Sequence, residues 1–563
     1  MPSSRRIPRL RRTLVAIACL AGLTTGGAAT ANAPRTIVTT PNVGGFGAPQ
    51  TVTSFSPLYN DVSNTDMQAY SILYTPLIWP SPVITVDWKL GLAESVHYNP
   101  QRTVVTVKLK PRRWTDGTPV TAADVVYAWK LIKQQGNSYG LYGVGGVPEG
   151  IKQVTAVSPD TVRFTLKHPV NENWFTLNGL SQFYALPAKV WGHHSNTYFR
   201  NHETDMKLMR VSDGPYRLDS FVSGRYARYS ANPGYPEKLP VQRFELRFFP
   251  DWTTQFSALK TGELQIGEVP TPLYSAQHLV AHLHTFESVP GKPGFLPYEF
   301  RMIWLNFKNP QIAFMRDEKV RQALQMAIPQ QAIIDVVFHG LGAASFTAVP
   351  PVPDTYLSPS MKDMDEHPNR EYDPAKAARL LTSDGWKMHD GVRTKEGQLL
   401  EFTLLYLTGS RAQTEEADIL KASWQKLGVV VHLKRMPQAT LLATVQPNGH
   451  WETAMLLWSY APDFYPSGDG LFNTGGGANF GQYSNPALDA AITGSTQPHG
   501  RDALWHYEAL LAKQLPVLFL PVPGYLVKSD GCFSNMREYL NPTAYIAPQA
   551  LVWKPGTSCQ PRS

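Results

Sequence analysis

Residues 109–129 read LKPRRWTDGTPVTAADVVYAW and bring a strand end, a tight turn and a helix start into one short run. Just upstream, TVVTVKLK at 103–110 alternates apolar with polar or basic residues, the period of a half-buried strand. Asp116-Gly117 supplies the turn, and Thr121 is placed to cap a helix whose apolar face carries Val125, Val126 and Trp129. By itself this run is only scaffold.

The same patterns continue outward. Strand patterns recur at 161–167 (TVRFTLK), 245–249 and 401–407 (EFTLLYL), with helical patterns between them. In DEKVRQALQMAI at 317–328, Val320, Ala323, Leu324, Ala327 and Ile328 share one face; Asp317 and Glu318 sit at the positive end, and Pro329 stops the run. A second helix at 414–427 ends at Gly428 and is followed at once by the apolar run VVVHL. EFTLLYL, this helix and VVVHLKRM make a β-α-β unit, which places two parallel strands side by side. Asp373 caps a further helix that starts at Pro374, carries Ala377, Ala378 and Leu381 inward and ends near Asp384-Gly385, with Trp386 as the plug beyond it.

The chain has 563 residues, more than one core usually serves, so two or three domains are expected. No fixed-period repeat, long charge run or Gly/Ser linker separates them, which points to domains that interrupt one another. Residues 1–33 read as an export signal: Arg5, Arg6, Arg9, Arg11 and Arg12, then a short apolar run at 14–23, then Ala31-Asn32-Ala33 as a cleavage site. Cleavage after Ala31 is the alternative, because Pro34 would follow the later cut. Arg11-Arg12 also admits a twin-arginine reading, and Ala16-Ile17-Ala18-Cys19 a lipoprotein box with Ala16 where leucine is usual. Removing the five arginines of the signal takes the formal charge from +8 to +3. That balance is no footprint for nucleic acid, and no basic run with interleaved aromatics is present. Cys532 and Cys559 are an even pair in an exported chain and read most simply as a disulfide tying down the tail; two free or buried thiols are the other reading.

With further landmarks in order, the chain resembles the family-5 extracellular solute-binding proteins, the peptide and nickel receptors of ABC importers. The segment at 109–129 matches the family's signature. Around it stand Ile72-Leu73-Tyr74-Thr75-Pro76-Leu77, Leu92-Ala93-Glu94-Ser95, and Asp213-Gly214-Pro215-Tyr216, where Asp213 replaces a glycine. Ala258-Leu259-Lys260-Thr261-Gly262-Glu263-Leu264 follows, with Gln265 in place of an acid, and then Val320-Arg321-Gln322-Ala323-Leu324, where Pro329-Gln330 replaces the usual Asp-Arg. The resemblance spans about 37–553 and implies an α/β, two-lobed periplasmic-binding-protein-like fold of class II, hinge-bending, with an extra inserted domain. Its expected division is lobe I from 34–78, 208–297 and 508–563, the inserted accessory domain from 79–207, and lobe II from 298–507.

The resemblance also carries the expected site. Trp458-Ser459-Tyr460-Ala461-Pro462-Asp463-Phe464-Tyr465-Pro466 is similar to the family segment W-x-x-D-Y-x-x-P, in which peptide receptors use the acid to receive the ligand's α-ammonium group; Asp463 matches that acid. Tyr460 stands three residues before it in place of tryptophan, with Trp458 two further back. A pre-placed carboxylate is the physical requirement for an amine that loses its hydration in a dry cleft. Pro462-Asp463 beside Pro466 and Gly468 also reads as turn chemistry, so a loop-organising Asp463 is the competing reading. Asn479 and Phe480, after three glycines, match a segment near the ligand backbone, and Asn306 opens the second lobe at the hinge.

These residues imply an exported receptor that captures a peptide or other amine-bearing solute and hands it to an ABC permease with separate ATPase subunits. No cofactor is expected, and a monomer is. The same fold also serves nickel or a metal chelate, a sugar or a heme-like ligand. A secreted hydrolase and a sensor without transport are the readings from other classes. Ser257-Ala258-Leu259-Lys260, Ser423-Trp424-Gln425-Lys426 and Lys260-Thr261-Gly262 are in the wrong order for a serine-lysine hydrolase. His193-His194 and the spread His278, His282 and His284 lack a carboxylate or cysteine at ligand spacing.

Overall fold

A computed structural model of the chain describes residues 36–45, 51–58, 63–286 and 295–555. Residues 1–33, read from sequence as an export signal, with Cys19 and the arginine pair, lie outside the described residues, as does Cys559. Cys532 is buried and disulfide-bonded.

Three sheets organise the rest. The first is seven-stranded, in the order His284–Phe286, Leu526–Ser529, Ile266–Val269, Thr36–Thr39, Arg243–Arg247, Tyr226–Ala231, Tyr216–Val222. Thr36–Thr39 runs parallel to both its neighbours. The second is five-stranded, in the order Val430–Met436, Glu401–Leu407, Thr453–Ser459, Glu299–Leu305, Val517–Leu520. Here the β-α-β reading holds: Glu401–Leu407 is parallel to Val430–Met436 from Glu401↔Val430 to Leu407↔Met436. The third is a four-stranded antiparallel sheet, in the order Ala93–Tyr98, Val104–Leu109, Thr161–Leu166, Ile151–Ser158.

Val517–Leu520 falls in the range 508–563 assigned from sequence to the first lobe, yet it pairs with Glu299–Leu305 of the second sheet, Trp304 opposite Val517. The reason is burial: all seven residues of Glu299–Leu305 are buried, and Val517–Leu520 is wholly apolar and covers that strand's otherwise open edge. The chain therefore returns to the first sheet after Leu520. It does so beside the outward crossing, because Phe295 and Tyr525 exchange backbone hydrogen bonds of 2.6 and 2.9 Å.

The expected helices form for the expected reasons. Thr121 and Asp124 make a capping box at Ala122–Gln135, and Asp373 accepts from the Lys376 N–H at 2.7 Å at the start of Pro374–Ser383. Asp317 caps Glu318–Met326. The helix expected from Thr414 begins a turn earlier, at Arg411, because Ser410 caps it through the Gln413 N–H. Its Trp424 donates to the Leu324 carbonyl at 2.9 Å and Ser423 to that of Ala327 at 2.7 Å, which locks the two helices together and ties up the Ser423 hydroxyl. Under the second sheet, Arg301 and Glu416 form a buried bidentate pair at 3.0 and 2.6 Å. Among the described residues no helix is long and apolar enough to cross a membrane.

Candidate functional site

The loop that leaves the Thr453–Ser459 strand turns sharply through a cis Ala461-Pro462 bond and buries Asp463 at once. A buried carboxylate needs donors, and the donor comes from a distant segment: Asn178 gives its side-chain N–H to Asp463 Oδ1. The same amide donates to the Tyr465 carbonyl at 2.9 Å and accepts from the Tyr465 N–H at 2.6 Å, so one asparagine fixes the whole turn. Asn178 sits in a single π-helical turn, Phe175–Gly179, a geometry that widens the backbone and often accompanies function. Gly145, at φ 59°, backs that turn so closely that a Cβ there would stand 2.3 Å from the Asn178 carbonyl carbon.

A second asparagine extends the junction. The Asn171 amide donates to the Tyr465 hydroxyl at 3.2 Å and the Ser495 carbonyl at 3.0 Å, while its backbone N–H donates to Thr496 at 2.7 Å. A cavity of about 210 Å³ lies beside it, bounded by Gly145, Gly146, Val170, Trp174, Phe175 and Thr496.

The electrostatics of the turn are those of acids without a cation. Burial pushes the Asp463 carboxyl well above the usual carboxylate range; nearby Asp469 adds to this, and the Asn178 hydrogen bond offsets part of it. Asp469 itself is pushed up to about 6 by burial, against a backbone N–H from Gly470. An incoming ammonium group would stabilise the ionised Asp463 and draw its proton off.

The other residues named from sequence sit in different surroundings. Tyr460 is fully buried, donates to the Ala348 carbonyl at 2.8 Å and packs on Tyr298 and Phe300. It lies within electrostatic range of Asp463, so the structure brings these two together. Trp458 is half-buried opposite Phe300 in the strand ladder. Phe480 stands edge-on to Trp304 at 5.6 Å. Asn479 bonds within its own loop, to the carbonyls of Asn473 and Tyr483 and the Tyr483 N–H. Asn306 donates its amide N–H across to the Gly449 and Trp451 carbonyls of a distant segment and accepts the Lys308 N–H.

Sequence reasoning did not single out Asn171 or Asn178. For Asn178 a signal existed, a lone amide inside the apolar run WFTLNGL. For metal, no group of three or more His, Cys, Asp or Glu able to hold an ion occurs among the described residues.

Comparison with known proteins agrees with this architecture. The family model described as bacterial extracellular solute-binding proteins, family 5 Middle, matches residues 87–482. The chain is 26% identical over 500 residues to the oligopeptide-binding protein AppA of Bacillus subtilis, covering 86% of each chain. It superimposes on the structure of that protein in complex with a nonapeptide with a TM-score of 0.70 at 21% identity, covering 93% of this chain and 100% of the other. It is also similar to NikZ from Campylobacter jejuni in complex with Ni(L-His), with a TM-score of 0.69 at 20% identity, covering 89% and 95%.

Proposed function

The chain belongs to the family 5 bacterial extracellular solute-binding proteins, and from that premise we propose that it captures a di- to oligopeptide by its α-ammonium group at Asp463 and delivers it to an ABC permease. The observation that carries this reading is the Asp463 turn: a carboxylate buried without a cation and held in one orientation by Asn178. A charged amine supplies the missing partner, and only the ionised pair offsets the desolvation of both groups. The relatives' names support the ligand class, since AppA is an oligopeptide-binding protein and another relative, 25% identical over 415 residues, is the dipeptide-binding protein of Escherichia coli.

In this reading the first and second sheets belong to two lobes that close over the peptide. The paired crossings at 295–299 and 520–526 are the hinge, and the segment carrying Asn171 and Asn178 is the inserted domain's contribution to the closed state. Residues 1–33 are an export signal, and the protein works outside the cytoplasm. It binds without turnover, so the peptide it releases is the peptide it took up.

Calorimetry on the mature protein with Ala-Ala-Ala and N-acetyl-Ala-Ala-Ala tests the reading. Acetylation, or Asp463→Asn with the free tripeptide, lowers affinity by about two to four decades. Equal binding of the acetylated and free peptides would overturn the role of Asp463. Recovery of cleaved peptide would overturn the absence of catalysis.

A further inference from the structure

A cavity of about 600 Å³ opens among the helices Glu318–Met326, Pro359–Glu366, Pro374–Ser383 and Arg501–Gln514. Neither Asp463 nor the asparagine and tyrosine that hold its turn line it, so it is separate from the peptide site proposed above. Its volume is that of a small-molecule site, which spans about 300–1,000 Å³.

The walls are apolar: Met326, Phe346, Met364, Leu380, Ala512 and Leu515. Phe346 and Leu515 are buried and the other four half-buried. Two of the six are methionines, whose unbranched, polarizable side chains adapt to a flexible apolar guest. The helix periodicity shows that these walls are organised. On Pro374–Ser383, Ala377 and Leu381 form the core-facing stripe and are fully buried. Lys376, Arg379, Leu380 and Ser383, at i, i+3, i+4 and i+7, form a second stripe, and all four face the cavity. Gln322, Gln325 and Met326 make the matching stripe on Glu318–Met326, which packs against that helix.

The neutral polar groups of the lining are already in use. Gln325 exchanges hydrogen bonds with the Phe519 backbone, Gln322 donates to Glu318 and the Lys513 carbonyl, and the Ser383 hydroxyl donates to the Leu380 carbonyl. What remains is charge. Lys376 and Arg379 are exposed at the rim, one turn apart, and neither joins an ion pair among the described residues. Asp384, at the end of the same helix, pairs with Lys319 and Lys395 instead, at 3.5 and 2.8 Å. The acid in the lining is Glu371, so two cations stand against one carboxylate.

An apolar chamber with a cationic mouth matches a molecule that is alkyl at one end and anionic at the other. We propose that this cavity binds a fatty acid, its alkyl chain against the methionine, phenylalanine and leucine walls and its carboxylate between Lys376 and Arg379. The guanidinium fork of Arg379 suits a carboxylate, and Lys376 adds a second charge. Each methylene taken out of water strengthens binding by up to about fourfold. The inference does not depend on the peptide reading.

Calorimetry on the mature, ligand-stripped protein with sodium octanoate, sodium hexanoate and octan-1-ol tests it. The wild type binds octanoate about fivefold or more tightly than octan-1-ol, and more tightly than hexanoate. Lys376→Gln with Arg379→Gln removes the preference for the carboxylate and leaves the alcohol's affinity unchanged; both side chains are exposed and outside every ion pair among the described residues, so the double variant keeps the fold. Glu371→Gln tightens octanoate binding, and Ala512→Trp, which plugs the chamber, abolishes it. Equal wild-type affinity for octanoate and octan-1-ol, or no octanoate binding, overturns the site. So does octanoate binding that survives Ala512→Trp, or a carboxylate preference that persists in the double variant, since either places the ligand elsewhere.

Discussion

Raising the pH from 5 to 7 destabilises the ligand-free protein. Glu268 is buried in the first sheet, where it accepts the N–H groups of Gly44 and Gly45 at 2.7 and 3.1 Å, and burial lifts it to about 8. Glu299 is buried in the second sheet with Oε1 unpartnered; burial lifts it to about 8, against a lowering influence from Arg301. Burial lifts Asp213 and Glu508 to about 7. In the unfolded chain all four titrate in the ordinary carboxylate range, near 4. Between pH 5 and 7 the folded state therefore holds more protons than the unfolded state, so stability is greatest on the acid side and falls as pH rises. Each group still protonated in the fold contributes a loss of about 1.4 kcal/mol per pH unit. Glu268 and Glu299 together set an upper bound of about 5 kcal/mol over the two units, comparable with the whole stability of a small domain. Asp116 and Asp251, hydrogen-bonded to Thr118 and Thr254 and held below the usual range, titrate under this window and do not counter the trend. The assay is urea unfolding of the mature, ligand-stripped protein at pH 5, 6, 7 and 8. The midpoint falls steadily, and Glu268→Gln makes the fall shallower. A midpoint that is flat or rises from pH 5 to 7 refutes the reasoning.

Two substitutions probe the fold and the junction separately. Arg301→Met leaves Glu416 buried without its cation and costs about 3–5 kcal/mol in a urea titration, and adding Glu416→Leu recovers most of it. Gly145→Ala drives a Cβ into the backbone of Asn178 from a left-handed position; it lowers stability by about 1–3 kcal/mol and weakens Ala-Ala-Ala binding, because Asn178 is pushed off Asp463.

Much of the local structure was legible because its causes are local. The capping box at Thr121, the Asp373-Pro374 start and the parallel pair around 401–436 each depend on residues a few positions apart. The partner of Val517–Leu520 was not legible, since a short apolar strand carries no mark of which sheet edge it will cover. Asp463 stands in a motif that sequence can show, whereas its hydrogen-bond partner Asn178 lies 285 positions away. Tyr298 lies just before the strand Glu299–Leu305 and Tyr507 and Glu508 on a late helix, and neither periodicity nor spacing marks buried oxygens that lack partners. Asn479 spends its amide on carbonyls of its own loop, and Asn306 on the carbonyls of Gly449 and Trp451 far along the chain, partners that no local pattern announces.

The paired crossing between Phe295 and Tyr525 has an architectural meaning beyond motion. Everything from Glu299 to Leu520, including the whole second sheet, leaves the first sheet and returns to it at neighbouring points. Topologically it is a cassette with adjoining ends, and the entropy of closing such an insert rises only slowly with its length. A gene can exchange that block at two junctions and keep the remainder of the receptor intact, so new ligand preferences can spread by recombination as well as by point mutation.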